Sequence, residues 1–148
     1  MAHPRRACCT LAAVAAAFLA STHATTAQQR DADDKKPSLS LKVTPPLGFS
    51  PLRVRAVIEV RGGRDDDSVF YCAGTEWDWG DGTVSESSSD CDPYEAGKST
   101  IKRRFSADHV FRQQGSSKIV FRLKQKTKVV GSATATIQVR AGQDEFDR

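Results

Sequence analysis

Residues Leu52 to Arg61 alternate without a break. Leu52, Val54, Ala56, Ile58 and Val60 fall on one side; Arg53, Arg55, Val57, Glu59 and Arg61 fall on the other. A side-chain period of two belongs to a strand with one buried face, and a strand of this kind has to be covered by a second layer. The same period recurs in Ser38 to Thr44, in Lys118 to Gln125 and in Val129 to Arg140. Between these runs the chain is punctuated by Pro45-Pro46, by a turn over Gly48 to Pro51, by Gly62-Gly63 with Asp65-Asp66-Asp67, and by Gln113-Gln114-Gly115. Proline and glycine in these positions end strands rather than continue them. Val69 to Trp79 reads as a further, irregular strand with a bulge near Gly74, and Ile101 to Phe111 as an apolar stretch among basic residues. The count is about seven strands in roughly 100 residues, with no helical period in that region, which predicts an all-β sandwich. A domain of this size buries a core unaided.

Four segments follow from composition. Residues 1–27 have the form of an export signal. Arg5 and Arg6 are followed by the apolar run Leu11 to Ala20, and Thr25-Thr26-Ala27 offers small side chains for cleavage, with Ala24 as the alternative site. The run is too short for a stable membrane span. Residues 28–37 are polar and charged, as expected of a flexible linker; 38–141 form the predicted domain; 142–148 form a polar tail. The formal charge is +4 over the full sequence, and loss of Arg5 and Arg6 leaves 20 basic against 18 acidic residues. Removal of the leader also leaves two cysteines, Cys72 and Cys91. An isolated pair in an exported chain predicts a disulfide. The expected location is therefore secreted, periplasmic or at the cell envelope.

The chain concentrates both of its tryptophans in Trp77-Asp78-Trp79-Gly80-Asp81-Gly82. Trp77 and Trp79 are two apart and share a face. Gly80 and Gly82 tolerate the positive φ of a tight turn, and Asp78 and Asp81 are suited to bonding their own backbone within it. Thr83 and Val84 restart a strand. This stretch, with Thr83, resembles the W-D-F-G-D-G-T signature of PKD (polycystic kidney disease) domains. His109-Val110-Phe111 stands where that family has H-x-Y/F, and Gly115 matches the glycine after it. The strands Ile119 to Leu123 and Ala133 to Val139 match the family's last two. The resemblance spans about residues 38–141 and implies an immunoglobulin-like β-sandwich in which the signature shapes the fold. Three departures stand out. Trp79 replaces the second aromatic, usually Phe; the segment from Gly82 to His109 is longer than usual; and the Cys72–Cys91 pair is foreign to the pattern.

Catalytic chemistry finds little support. Beyond the leader His109 is the one histidine, and it reads as a residue packed beside the tryptophan turn. No G-x-S-x-G elbow presents a serine and no glycine loop cradles a phosphate. The Asp65-Asp66-Asp67 run offers hard oxygen ligands but lacks the spacing of an EF-hand loop, so it reads as a solvated loop. The expectation is no enzyme, no cofactor and no metal site. The resemblance implies an extracellular interaction or scaffold module for protein or glycan, monomeric, with no specific nucleic-acid target and no membrane span once the leader is removed. The polar excursion Ser85 to Thr100, pinned by Cys91, is one candidate contact surface. A second reading rests on the outward row Lys118, Arg122, Lys124, Lys126 and Lys128, with the cluster Lys102, Arg103 and Arg104, which would attract acidic polysaccharide or another polyanion.

Overall fold

The computed structural model describes residues 36–142. The leader, nearly all of the linker and the last six residues of the tail lie outside that range. Eight strands are present: β1 (Ser38–Thr44), β2 (Leu47–Phe49), β3 (Leu52–Arg61), β4 (Gly74–Asp78), β5 (Val84–Ser87), β6 (Arg104–Phe111), β7 (Gly115–Gln125) and β8 (Lys128–Arg140). They form a three-stranded sheet in the order β1-β3-β6 and a five-stranded sheet in the order β2-β8-β7-β4-β5. All pairings are antiparallel except that of β2 with β8. No residue in the described range is helical. The chain crosses repeatedly between the two layers, and the result is an immunoglobulin-like β-sandwich.

The alternation read from the sequence is the alternation of burial. Leu52, Val54, Ala56, Ile58 and Val60 of β3 are all buried, and they face Ile119, Phe121 and Leu123 of β7 and Ile137 and Val139 of β8. Leu39 and Leu41 of β1 and Ala133 and Ala135 of β8 close the periphery of the same core. Trp77, Trp79, Phe105 and Phe111 supply its largest surfaces.

Four expectations need correction. The turn predicted over Gly48 to Pro51 overlaps β2, a three-residue strand that pairs in parallel with Gln138 to Arg140. The strand predicted from Val69 begins only at Gly74. Before it, Asp67 Oδ1 accepts the Val69 and Phe70 amides and the Asp67 carbonyl accepts the Tyr71 amide, which winds 68–72 into turns. A local side-chain bond to the backbone has overridden the β propensity of Val, Phe and Tyr. The irregularity expected near Gly74 lies instead in the β7–β8 ladder, between Leu123 and Lys124, the residue opposite Gly74. Finally, the polar stretch from Ser85 is not loop throughout: Ser85 to Ser87 continue β5, held against β4 at the edge of the larger sheet.

Candidate recognition site

The tryptophan signature forms one compact unit. Asp78 Oδ1 accepts the Gly80 amide at 3.1 Å. Asp81 Oδ1 accepts the Thr83 amide at 3.0 Å and the Thr83 hydroxyl at 2.6 Å. The Trp79 amide donates to the Thr83 carbonyl and closes the turn. Gly80 and Gly82 have φ of 73° and 89°, as the turn requires. Above this turn three rings lie nearly parallel. Trp77 and Trp79 have centroids 5.7 Å apart, and Trp79 and His109 have centroids 4.5 Å apart. Phe111 meets the His109 ring edge-on at 4.7 Å. The indole Nε1 of Trp79 donates to Ser85 Oγ at 3.0 Å, and His109 Nε2 lies 2.7 Å from Asp81 Oδ2. The signature residues therefore cluster in one place, with the Asp81 carboxylate bonded to Thr83 and His109 and the Trp79 indole to Ser85.

Asp81 has a pKa below the ordinary aspartate range. Partial burial pushes it up, but the Thr83 hydroxyl and amide and the His109 ring outweigh that and favour the carboxylate. A depressed folded pKa adds stability at pH above the unfolded value, and that stability is lost as the pH falls through the folded value. The Asp81→Asn variant is therefore expected to unfold at lower temperature than wild type at pH 7. The gap should narrow as the pH drops below about 4, the ordinary aspartate value. A thermal-melt series from pH 7 to 2 checks this; a gap that stays constant throughout would exclude the carboxylate as its cause.

The disulfide joins Cys72 to Cys91, with Cα atoms 6.0 Å apart. By chain entropy, closing a loop of this length contributes roughly 3 kcal/mol. The long excursion after β5 is held by more than this bond. The Tyr71 hydroxyl donates to the Asp92 carbonyl, and the Tyr94 hydroxyl donates to the Asp66 carbonyl at 2.6 Å. The two tyrosine rings lie 5.5 Å apart. Arg103 donates to the Gly62 and Gly63 carbonyls and to Asp65. This network joins residues far apart in sequence, and composition alone carries no sign of it. The network also accounts for the acidic triplet: Asp65 pairs with Arg103, Asp66 with Arg64, and Asp67 caps the turn. Among the described residues no three His, Cys, Asp or Glu side chains are grouped to hold a metal ion.

Next to the tethered loop, the side of the sandwich between β5 and β6 is open. A cleft of about 220 Å³ runs there between the edges of the two sheets. Trp77 and Phe105 reach its apolar lining; Thr75, Ser85, Ser87 and Lys102 supply polar groups. At the opposite edge of the larger sheet, Leu47 and Phe49 of β2 stand exposed.

The β7 row differs from the free cationic strip its sequence suggests. Arg122 donates to Glu76 Oε1 at 2.5 Å and lies 3.8 Å from Asp78. Lys124 bonds Glu76 and lies 3.3 Å from Glu86. Lys124 and then Arg122 hold the Glu76 carboxyl below its ordinary pKa, and Glu76 in turn raises Lys124. Cross-strand register brings this about: Glu76 sits opposite Arg122 on one neighbour and opposite Glu86 on the other. Lys118 is exposed on β7, and Lys126 is exposed at the β7–β8 turn with a positive φ. These four basic residues thus divide into two neutralised and two exposed.

No family model matches the chain, and no curated protein matches it. Among solved structures, the chain is similar to the PKD domain of an M14-like peptidase from Thermoplasmatales archaeon SCGC AB-540-F20. The two are 11% identical with a TM-score of 0.48, over 70% of this chain and 96% of that one. Among the described residues no helix is long and apolar enough to cross a membrane.

Proposed function

We propose that this chain is an exported, non-catalytic interaction module of PKD type that binds a protein or glycan at the open side of its sandwich. The observation that carries this reading is the cleft between β5 and β6. It joins an aromatic lining to hydroxyl and charged groups and borders a loop fixed by the Cys72–Cys91 disulfide. Clefts of this composition hold a ligand by stacking and orient it by a few hydrogen bonds. Two sheet edges flank it, and an edge presents unpaired backbone groups to an incoming strand. The disulfide supports a site of action outside the cytoplasm. His109 supports the non-catalytic reading: its ring is stacked on Trp79 and its Nε2 is taken by Asp81.

The test compares wild type with Ser87→Trp, which fills the cleft from an exposed edge position. Both proteins are used for affinity capture from an extract of the native cell envelope. A defined protein or glycan retained by wild type should be recovered at least about tenfold less with the variant, the loss expected when one key contact is blocked. Equal recovery by the two proteins would remove the cleft from consideration.

A further inference from the structure

Much of the unpaired positive charge among the described residues lies on the outer face of the three-stranded sheet. Side chains of β1, β3 and β6 that point away from the core form the outer surface of the three-stranded sheet. Lys42, Arg53, Arg55, Arg61 and Arg104 stand exposed on it, against the carboxylates of Glu59 and Asp108. Glu59 is bonded to Arg61 at 2.8 Å. Lys42, Arg53, Arg55 and Arg104 make no ion pair among the described residues. The electrostatic effect on Glu59 shows the field: Arg61 first, then Arg104 and Lys42, hold its carboxyl below the ordinary glutamate range. On the larger sheet Arg122 and Lys124 are neutralised by Glu76, Asp78 and Glu86, while Lys118 and, at its end turn, Lys126 stand exposed.

We infer that this face binds a linear polysaccharide bearing carboxylate or sulfate groups. Three features point to that chemistry. The cations run along β3 from Arg53 to Arg61, a strip about 27 Å long at strand spacing, which suits an extended polyanion and exceeds a single small anion. Hydroxyls of Ser40 and Thr44 lie among the cations, and with Lys42, Arg61, Arg104, Val57 and the Arg61-paired carboxylate of Glu59 they line a depression of about 400 Å³. Hydroxyls beside cations can meet both the acid groups and the neutral hydroxyls of a sugar chain. The large apolar side chains that stand exposed, Leu47, Phe49, Val69, Val84, Tyr94 and Val129, all lie elsewhere. The face thus lacks the aromatic platform on which single-stranded nucleic acid stacks, and the apolar wedge with which a peripheral protein enters a bilayer.

This inference rests on reading the domain as a binding module, but it uses a different face from the β5–β6 cleft. The test is salt-gradient elution of the purified chain from immobilised heparin (sulfate) and polygalacturonate (carboxylate), followed by titration with the better of the two. Wild type should be retained, with an affinity that falls steeply as salt rises, and the triple variant R53S/R55S/R104S should bind at least about tenfold more weakly. Glu59→Gln should bind more tightly than wild type, a gain that misfolding cannot imitate. Lys118→Ser with Lys126→Ser, on the other sheet and its end turn, should leave binding unchanged. Retention by one resin alone identifies the acid group recognised. Failure of wild type to bind either resin, or equal elution of wild type and triple variant, overturns the inference. So does tighter binding at the same salt to phosphatidylglycerol vesicles or duplex DNA than to either polysaccharide. Ser87→Trp separates the two sites: it should lower capture at the cleft at least about tenfold and leave heparin elution where it was.

Discussion

Trp79→Ala should cost about 3–5 kcal/mol, as expected for removing a large aromatic from a packed interior. Trp79 is 0% exposed and lies between Trp77 and His109 in a stack of three rings. Its loss opens a cavity between the sheets at the point where β4 turns into β5. It also releases the Ser85 hydroxyl that the indole nitrogen holds. Domains of this kind are stable by about 5–15 kcal/mol, so urea denaturation should show a variant that has lost a large share of its stability and unfolds at a much lower midpoint. Trp79→Phe, which restores the side chain usual in the resembling signature, should lose only about 1–2 kcal/mol, for the missing hydrogen bond and the smaller ring. Equal midpoints for Trp79→Ala and wild type would mean that the stack contributes nothing to stability.

Gly80→Ala should cost about 2–4 kcal/mol, near the upper end of single substitutions. Two penalties act together. The residue sits at φ 73°, where a β-carbon is strained. The β-carbon would also come within 2.5 Å of the Lys118 carbonyl oxygen. Lys118 lies in β7, bound between β4 and β8, so the obstacle is the backbone of an inner strand, which cannot swing aside. Gly82→Ala provides the control. Its φ is 89°, but nothing lies within 4 Å of an added β-carbon. That variant should lose only the conformational term, about 1 kcal/mol. Comparing the two denaturation midpoints separates backbone conformation from steric contact, and similar losses in both would rule out contact with β7.

The tryptophan turn was legible because its requirements are local. Asp78 and Asp81 bond amides two residues on, and Gly80 and Gly82 take the positive φ that a turn between strands demands. The same locality explains the one strand that was misplaced. Asp67 reaches the amides of Val69 and Phe70 and winds a turn where side-chain propensity favours extension. β2 was hidden for the opposite reason. Three residues between prolines carry no periodic signal, and Leu47 to Phe49 are extended only because β8 lies alongside.

Charge was the least legible property. A row of basic residues on β7 looks free when the strand is viewed alone, yet β4 and β5 bring Glu76, Asp78 and Glu86 against it. The arginines of β3 look like the ordinary wet face of an amphipathic strand. Their neighbours β1 and β6 supply mostly hydroxyls and further cations, so most of that charge remains unpaired. Alternation alone determined that the chain forms strands and which side of each strand is buried, because burial of an apolar face is a property of the strand itself. Which charges cancel, which loops are tied together around Cys72 and Cys91, and which edges remain open depend on residues tens of positions apart. Only the tertiary structure decided those, since Coulomb and hydrogen-bond interactions are set by distance in space, and strand order determines that distance.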